Sequence, residues 1–303
     1  MTTSVAPSFG EHSERMSGPL DAAGAVHYDA IFAHVTQSFL PGLLKAARLA
    51  RGQCVLDVAT GTGAAAQAAA GIVGPAGTVM AGDISPAMLD VARRKLRAAP
   101  VTFEVLDAQA LPFSEGRFDA VLCQLGLMFF PDPARALAEF YRVLRAEGHV
   151  AVSVTTLPER TLYFRTWAVI ASHVPARSET LSRYFAIFDP RRLYALLAAA
   201  GFRDVQVDSE RREFRFVSFD DYFSGIEKGA TWLGREYVRL PAEVRRAVRD
   251  DVRCGLLAER ADGPLAINME VLFGSGRKQG LPGDVSPDSR ALSAAMLSNS
   301  VPQ

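Results

Sequence analysis

Cysteine is scarce: Cys54, Cys123 and Cys254 are the only three among 303 residues, odd in number and widely spaced. Neither a disulfide framework nor a paired-Cys zinc site is suggested, and no His/Cys/carboxylate cluster shows ligand spacing, so metal chemistry finds no support. A surplus of charge of either sign is also missing, since 33 Lys+Arg face 33 Asp+Glu. Without a chain-wide positive field, neither nucleic acid nor an anionic membrane is an expected partner. Long apolar runs are absent as well. Ala64–Ala70 and Leu193–Ala200 fall far short of the roughly 18 residues of a spanning helix. Glu11, His12 and Glu14 interrupt the apolar stretch that a secretory signal would need. The expectation is a protein of the reducing cytoplasm.

The length favours one elaborated domain over two. Residues 1–20 and 277–303 are small, polar and without sustained period, so a flexible N-terminal arm and C-terminal tail are expected around a folded part at 21–276. Short apolar runs at Cys54–Val58, Thr78–Ala81, Thr102–Val105, Ala120–Cys123 and His149–Val154 predict five strands. Between them, Ala64–Val73, Pro86–Ala98 and Pro133–Arg145 carry apolar residues three or four apart behind a small residue or proline, which predicts helices. Alternation of this kind builds a parallel, doubly wound α/β sheet. Further on, Pro190–Ala200 predicts a helix closed by Gly201, and Val205–Val207 and Ile267–Gly274 two more strands. The stretch between these strands, 209–266, is too long for a plain connection and is expected to form a mostly helical cap.

The strongest chemical signal is Val55-Leu-Asp-Val-Ala-Thr-Gly-Thr-Gly63, a buried strand entering a glycine-rich turn that opens a helix. Gly61 and Gly63 permit tight backbone geometry and close ligand approach, and the amides of the following helix favour an anionic group. Twenty residues beyond Gly63, Asp83 ends the second strand, where a carboxylate can accept hydrogen bonds from two ribose hydroxyls. The spacing suits a nucleoside-containing cofactor. Asp57 has an equally simple use in bonding the loop backbone.

With Asp107-Ala-Gln-Ala-Leu-Pro-Phe113, the stretches 81–96 and 118–148 and, less distinctively, Ala199–Phe202, the ordered set resembles the class I S-adenosylmethionine-dependent methyltransferases. The likeness is greatest to the ubiquinone/menaquinone C-methyltransferase-like group and runs continuously over about 45–155. The resemblance implies a Rossmann-like seven-stranded sheet whose last strand is antiparallel, and S-adenosyl-L-methionine as cofactor. It implies that Ala59, Gly61 and Gly63 cradle the methionine part and that Asp83 holds the ribose, with Asp57 and Thr62 as further candidate cofactor contacts. Asp107 and Ala108 would meet the adenine, Gln124 and Leu125 would close over the site, Tyr28 belongs to an N-terminal segment that in similar enzymes folds over the cofactor, and Ile84 and Met88 are further expected cofactor contacts. Ala59 departs from the pattern, standing where many members have glycine, so a slightly altered turn with intact binding is expected.

Methyl transfer from a sulfonium needs alignment and desolvation more than a protein nucleophile. Strand carboxyl ends form the site in such sheets, so Met128 and Phe129, after the fourth strand, are expected at an acceptor pocket with Phe185, Phe219 and Tyr222 of the aromatic-rich later segment. His173 and His27 are the candidate catalytic bases, on residue type and placement. The expected acceptor is a small aromatic or polyketide-like metabolite, with quinone-ring C-methylation as the alternative and a homodimer left open. Two other classes compete. A nicotinamide-dependent oxidoreductase fits Gly61-Thr-Gly63-Ala-Ala-Ala66, but no Tyr is followed four positions later by Lys, and the motif at 107–113 has no part in that scheme. A non-catalytic cofactor-binding protein would keep the fold alone.

Overall fold

Val55 to Val58 are buried on both faces, as a central parallel strand requires, and with Cys54 they form β1 (Cys54–Val58). In the computed structural model, which describes residues 20–173, 186–257 and 264–280, β1 lies inside a seven-stranded sheet. The other strands are β2 (Thr78–Asp83), β3 (Val101–Val105), β4 (Phe118–Gln124), β5 (Leu144–Thr155), β6 (Arg203–Phe216) and β7 (Leu265–Arg277). Their order is β3-β2-β1-β4-β5-β7-β6. The first five strands pair in parallel, and β7 inserts antiparallel between β5 and β6. Strand order reverses between β1 and β4, so the crevice of the sheet opens at the carboxyl ends of these two strands.

Helices cover both faces. On one, Leu43 and Ala47 of α3 (Leu40–Ala47) and Ala66, Ala69 and Val73 of α4 (Ala64–Val73) pack on Val55, Ala120 and Leu122. On the other, Leu137 and Phe140 of α6 (Pro133–Val143) and Leu193 and Leu197 of α8 (Pro190–Ala199) pack on Leu56, Val121 and Val152. Ser85, Asp132 and Asp189 cap α5 (Pro86–Lys95), α6 and α8 through side-chain oxygens, and each is followed by proline at the first helical position. Doubly wound α/β architecture is therefore what the alternating pattern predicts.

Three elements, α6, β5 and β6, depart most from the sequence-based boundaries. The helix expected over Pro133–Arg145 stops at Val143, and β5 begins at Leu144, not His149. Leu144 pairs with Phe118, and the register then shifts before Ala120 meets His149, with Glu147 left-handed at φ 65° in the extra stretch. Strand β6 runs on to Phe216, so residues 209–216, expected in the cap, belong to the sheet. Its outer face carries Arg211, Glu213 and Arg215, the charge that guards an exposed edge and that hides the strand from an apolar-run reading.

The rest of the inserted segment, where described, carries three helices: α9 (Phe219–Glu227), α10 (Trp232–Val238) and α11 (Ala242–Leu257). At the other end of the chain, α1 (Ala22–His27), a π-turn (Tyr28–Phe32) and α2 (Ala33–Gln37) form a strap leading into α3. Helix α7 (Phe164–His173) follows β5 and packs on α11. Among the described residues no helix is long and apolar enough to cross a membrane.

Candidate functional site at the strand carboxyl ends

The glycine-rich turn leaves β1 through three left-handed residues, Ala59 (φ 57°), Gly61 (φ 56°) and Gly63 (φ 88°). A Cβ placed on Gly61 would meet nothing within 4 Å, so its α-carbon borders open space above the turn. Gly63 is confined instead: a Cβ there would stand 2.9 Å from Leu96 and 3.1 Å from Ala92, and the missing side chain lets α4 start against the end of α5. Ala59 keeps its methyl in a region where L-residues are strained, and Gly126 across the crevice makes room for it. A Cβ on Gly126 would approach that methyl to 2.7 Å and Cys123 Sγ to 2.9 Å. The altered turn expected at Ala59 is thus a left-handed alanine accommodated by a facing glycine. Ala59→Gly is expected to stabilise the protein by about 0.5–1 kcal/mol, the relief of left-handed strain less the entropy of a freer unfolded chain. Urea unfolding measures it, and a loss of stability would show that the methyl contact outweighs the strain.

Two carboxyl groups lie beneath this turn. Asp83, at the end of β2, accepts from the Gly61 amide (2.8 Å) through one oxygen and from the Ser85 amide (2.9 Å) through the other, which ties the turn to the neighbouring strand. Each oxygen keeps a lone pair. Asp57 is fully buried; one oxygen accepts from the Thr60 hydroxyl (2.6 Å), and Oδ1 has no partner. Burial pushes its carboxyl up to about 7, against the Thr60 bond that lowers it and with nearby Asp83 adding to the rise. Burial raises Asp83 as well, while the amides of Ser85 and Gly61 oppose the shift.

The remaining residues expected at the cofactor stand around the same edge. Thr62 is buried at the helix entrance, and Ile84 is half exposed beyond Asp83. The Met88 amide donates to Ser85 Oγ in the first turn of α5. Asp107 receives the Gln109 amide (2.8 Å) beside buried Ala108. The loop they begin is pinned from α6, where Glu139 accepts from the Leu111 amide and Arg142 donates to the Leu111 and Phe113 carbonyls. Gln124, ending β4, donates from Nε2 to the Thr36 carbonyl (2.6 Å), and its buried Oε1 has no partner. Leu125 is left-handed (φ 49°), its amide held by Ser153. Burial raises the Tyr28 hydroxyl, which lies beside Thr36 on the strap and near Asp83. Residues distant in sequence, from 28 to 125, thus converge on one edge.

The acceptor-side expectations fare differently. His27 Nδ1 meets the Lys228 carbonyl at 2.8 Å, joining the strap to the end of α9. His173 closes α7 with Nε2 2.9 Å from Asp251 of α11. Both imidazoles make contacts between helices. Tyr222 is 1% exposed and its hydroxyl is taken by Thr166 Oγ1 (2.9 Å) and the Leu162 carbonyl (3.1 Å). Phe219 stacks on Phe223 beneath the Arg249 and Arg253 guanidiniums. Both rings are buried in the cap. Met128 is buried in the sheet's second core, with Phe129 half-buried over it. Phe185 lies outside the described residues. The sequence reading missed Tyr163, Phe32 and Thr36, which sit in no motif and gain their meaning only from the strap's return across the strand ends.

This sheet order, with the glycine turn at its switch point and a strand-end aspartate beside it, defines an α/β enzyme of the nucleoside-cofactor class. A methyltransferase-domain family model matches residues 56–152. The chain is 31% identical over 175 residues to the ubiquinone/menaquinone biosynthesis C-methyltransferase of Edwardsiella ictaluri, covering 52% of this chain and 70% of that one. It is 36% identical over 162 residues to the demethylmenaquinone methyltransferase of Thermus thermophilus, covering 49% and 73%. A solved putative methyltransferase from Bacillus halodurans superposes with a TM-score of 0.54 at 25% identity, over 80% of this chain and all of that one. A phosphoethanolamine N-methyltransferase from Haemonchus contortus, solved with S-adenosyl-L-methionine, shares the fold at 18% identity, with a TM-score of 0.53 over 86% and 58% of the two chains. The chain belongs to the class I S-adenosylmethionine-dependent methyltransferases, in the group of the ubiquinone/menaquinone C-methyltransferases. It is an enzyme that uses S-adenosyl-L-methionine.

Proposed function

We propose that the acceptor is a flat, oxygenated aromatic small molecule, a phenol or quinol, methylated at the carboxyl edge under the helical segment α9–α11. One observation carries this reading: an aromatic wall faces the strap, with Phe32 packed on Tyr163 (ring centroids 5.5 Å apart) and Tyr163 on Tyr222 (5.3 Å), and Gln124 holds the same strap by Thr36. The names of the two relatives favour a quinol ring as the substrate. The family model ends at residue 152, before α7 and the cap, so its match speaks for the cofactor half alone.

The residues present fit the cofactor. Open space over Gly61 and the partnerless Oδ1 of Asp57 provide room and an acceptor for its methionine part, between Ala59, Thr62, Gly63 and the start of α4. Asp83 offers its spare lone pairs to the ribose, Ile84, Met88, Asp107 and Ala108 border the adenine, and Gln124, Leu125 and Tyr28 close the edge. When bound, S-adenosylmethionine supplies an activated methyl group and its own leaving group. The chain's residues then orient the two partners and exclude water, with the strap and cap covering the crevice.

Assays with radiolabelled cofactor against 1,4-dihydroxynaphthalene, catechol and an aliphatic amine test the acceptor class. Methylated ring product is expected; turnover of the amine alone overturns the reading. A pH dependence follows from Asp57. Between about pH 4 and 7 the folded state keeps a proton on Asp57 that the unfolded chain has lost, so this group's contribution to stability falls as pH rises through that window. A cofactor ammonium beside the ionised carboxylate has the opposite pull, and affinity should weaken about tenfold or more from pH 7.5 to pH 5.5. Asp57→Asn is expected to flatten that profile in calorimetric titrations, and an equally steep profile in the variant would remove Asp57 from the contact.

A further inference from the structure

The side-chain amide of Gln124 is used at one end only. Nε2 donates to the Thr36 carbonyl at 2.6 Å, while Oε1 is buried and has no hydrogen-bond partner. Which end is which follows from the partner, because a carbonyl can receive only the NH2 side of an amide. Holding the strap therefore takes the donor half of the side chain and leaves an acceptor shut away from water. Its desolvation is a cost that nothing on the protein offsets. A side chain with a donor alone would tie the strap without it.

The position of Gln124 says what could meet that oxygen. It is the last residue of β4, and Leu125 leaves the strand in a left-handed conformation (φ 49°). It alternates with Leu122 and Ala120, whose side chains join the core under α3 and α4, and on this face it reaches Thr36 of the strap. Gln124 itself is half-buried, and the π-turn (Tyr28–Phe32) before α2 holds no fully buried residue, so the amide borders the crevice beneath the strap. In the sheet order β4 stands between β1, whose turn and Asp57 form the cofactor side, and β5, from which the chain runs on to α7. Asp57 Oδ1 already offers a partnerless carboxyl oxygen to an ammonium. A neutral amide oxygen one strand further suits a neutral donor, which a hydroxyl supplies.

We infer that Gln124 is a specificity-determining residue whose Oε1 accepts a hydrogen bond from a ring hydroxyl of the methyl acceptor while Nε2 holds the strap. The inference rests on the proposed phenol or quinol acceptor. An amide oxygen takes no proton at neutral pH, so Gln124 orients the ring and leaves its proton in place. The two ends of one side chain then link recognition to closure, since a hydroxyl that reaches Oε1 lies beside the segment that Nε2 fixes. A ring without the hydroxyl leaves Oε1 unpaired, and a site built to bond a substrate hydroxyl discriminates strongly on that ground.

Calorimetry on the full chain saturated with S-adenosylhomocysteine reads the recognition as a ratio of affinities, for 1,4-dihydroxynaphthalene, kept reduced, over naphthalene. The wild type should prefer the dihydroxy ring. In Gln124→Met, which fills a similar volume without polar atoms, that preference should fall about tenfold, the scale of one hydrogen bond. Gln124→Glu keeps an acceptor oxygen and should hold a larger preference than Gln124→Met; an equal or smaller one overturns the inference. If Gln124 only braces the strap, Gln124→Met weakens both rings together and leaves the ratio at its wild-type value, which also overturns it. A fall in S-adenosylhomocysteine affinity with the ratio intact assigns Oε1 to the cofactor and overturns it as well. A wild type without preference removes Gln124 from recognition and leaves an aromatic acceptor standing, whereas a wild type that binds neither ring overturns the acceptor reading and this inference with it.

Discussion

Asp83→Ala is expected to weaken S-adenosylmethionine binding by roughly 100- to 1,000-fold. The carboxylate accepts the Gly61 and Ser85 amides at once, and each bond to a charged acceptor is worth roughly 1.5–3 kcal/mol where burial leaves no replacement. Alanine therefore frees the turn that frames the open space over Gly61 and removes the proposed ribose acceptor together. Asp83→Asn separates the two roles, because the amide retains one acceptor oxygen but must turn an NH2 toward one of the two backbone donors. Affinity by calorimetry and stability by urea unfolding should both fall, more in the alanine variant. An unaltered dissociation constant in both variants would leave Asp83 as a strand-end residue that braces the loop and nothing more.

Tyr222→Ala is expected to cost about 3–5 kcal/mol of stability, the range for emptying a large aromatic site in a packed core. Tyr163, Phe216 and Phe219 all lie against the ring, and its hydroxyl joins α9 to Thr166 of α7 and to the Leu162 carbonyl. Tyr222→Phe keeps the ring and should cost about 1–2 kcal/mol by stranding the Leu162 carbonyl and the Thr166 hydroxyl. Denaturant unfolding at constant slope measures both. If Tyr222→Phe left stability intact and raised the acceptor Michaelis constant, the hydroxyl would belong to the acceptor site and its packing role would be wrong.

Legibility in the sequence followed local physics. β1 and α4 are found where predicted to the residue, because a strand buried on both faces and an alanine-rich helix after a glycine turn advertise themselves by apolar continuity and punctuation. β6 was legible only at Val205–Val207, since an edge strand with one charged face alternates Arg and Glu with half-buried residues and resembles a solvated helix. The cofactor edge was readable because Gly61, Gly63 and Asp83 are imposed by backbone geometry and spacing. The acceptor side was not. His27 and His173 carry suggestive chemistry, yet helix packing decides what each imidazole touches, the Lys228 carbonyl and Asp251.

The hairpin of β6 and β7 has a consequence for how this enzyme can diversify. The helical segment leaves the sheet after Phe216 and returns at Leu265, and these two residues are paired across the ladder. The whole of α9–α11 therefore hangs from a single rung, as a cassette whose two attachment points are already adjacent. Replacing it with another insert of different length changes loop-closure entropy only slowly, by about 0.6 kcal/mol per doubling, and leaves the register of seven strands untouched. A lineage with this architecture can exchange the surface proposed to meet its acceptor in one recombination event, while the glycine turn and its aspartates, on strands far from that rung in the sheet order, continue to serve the same methyl donor.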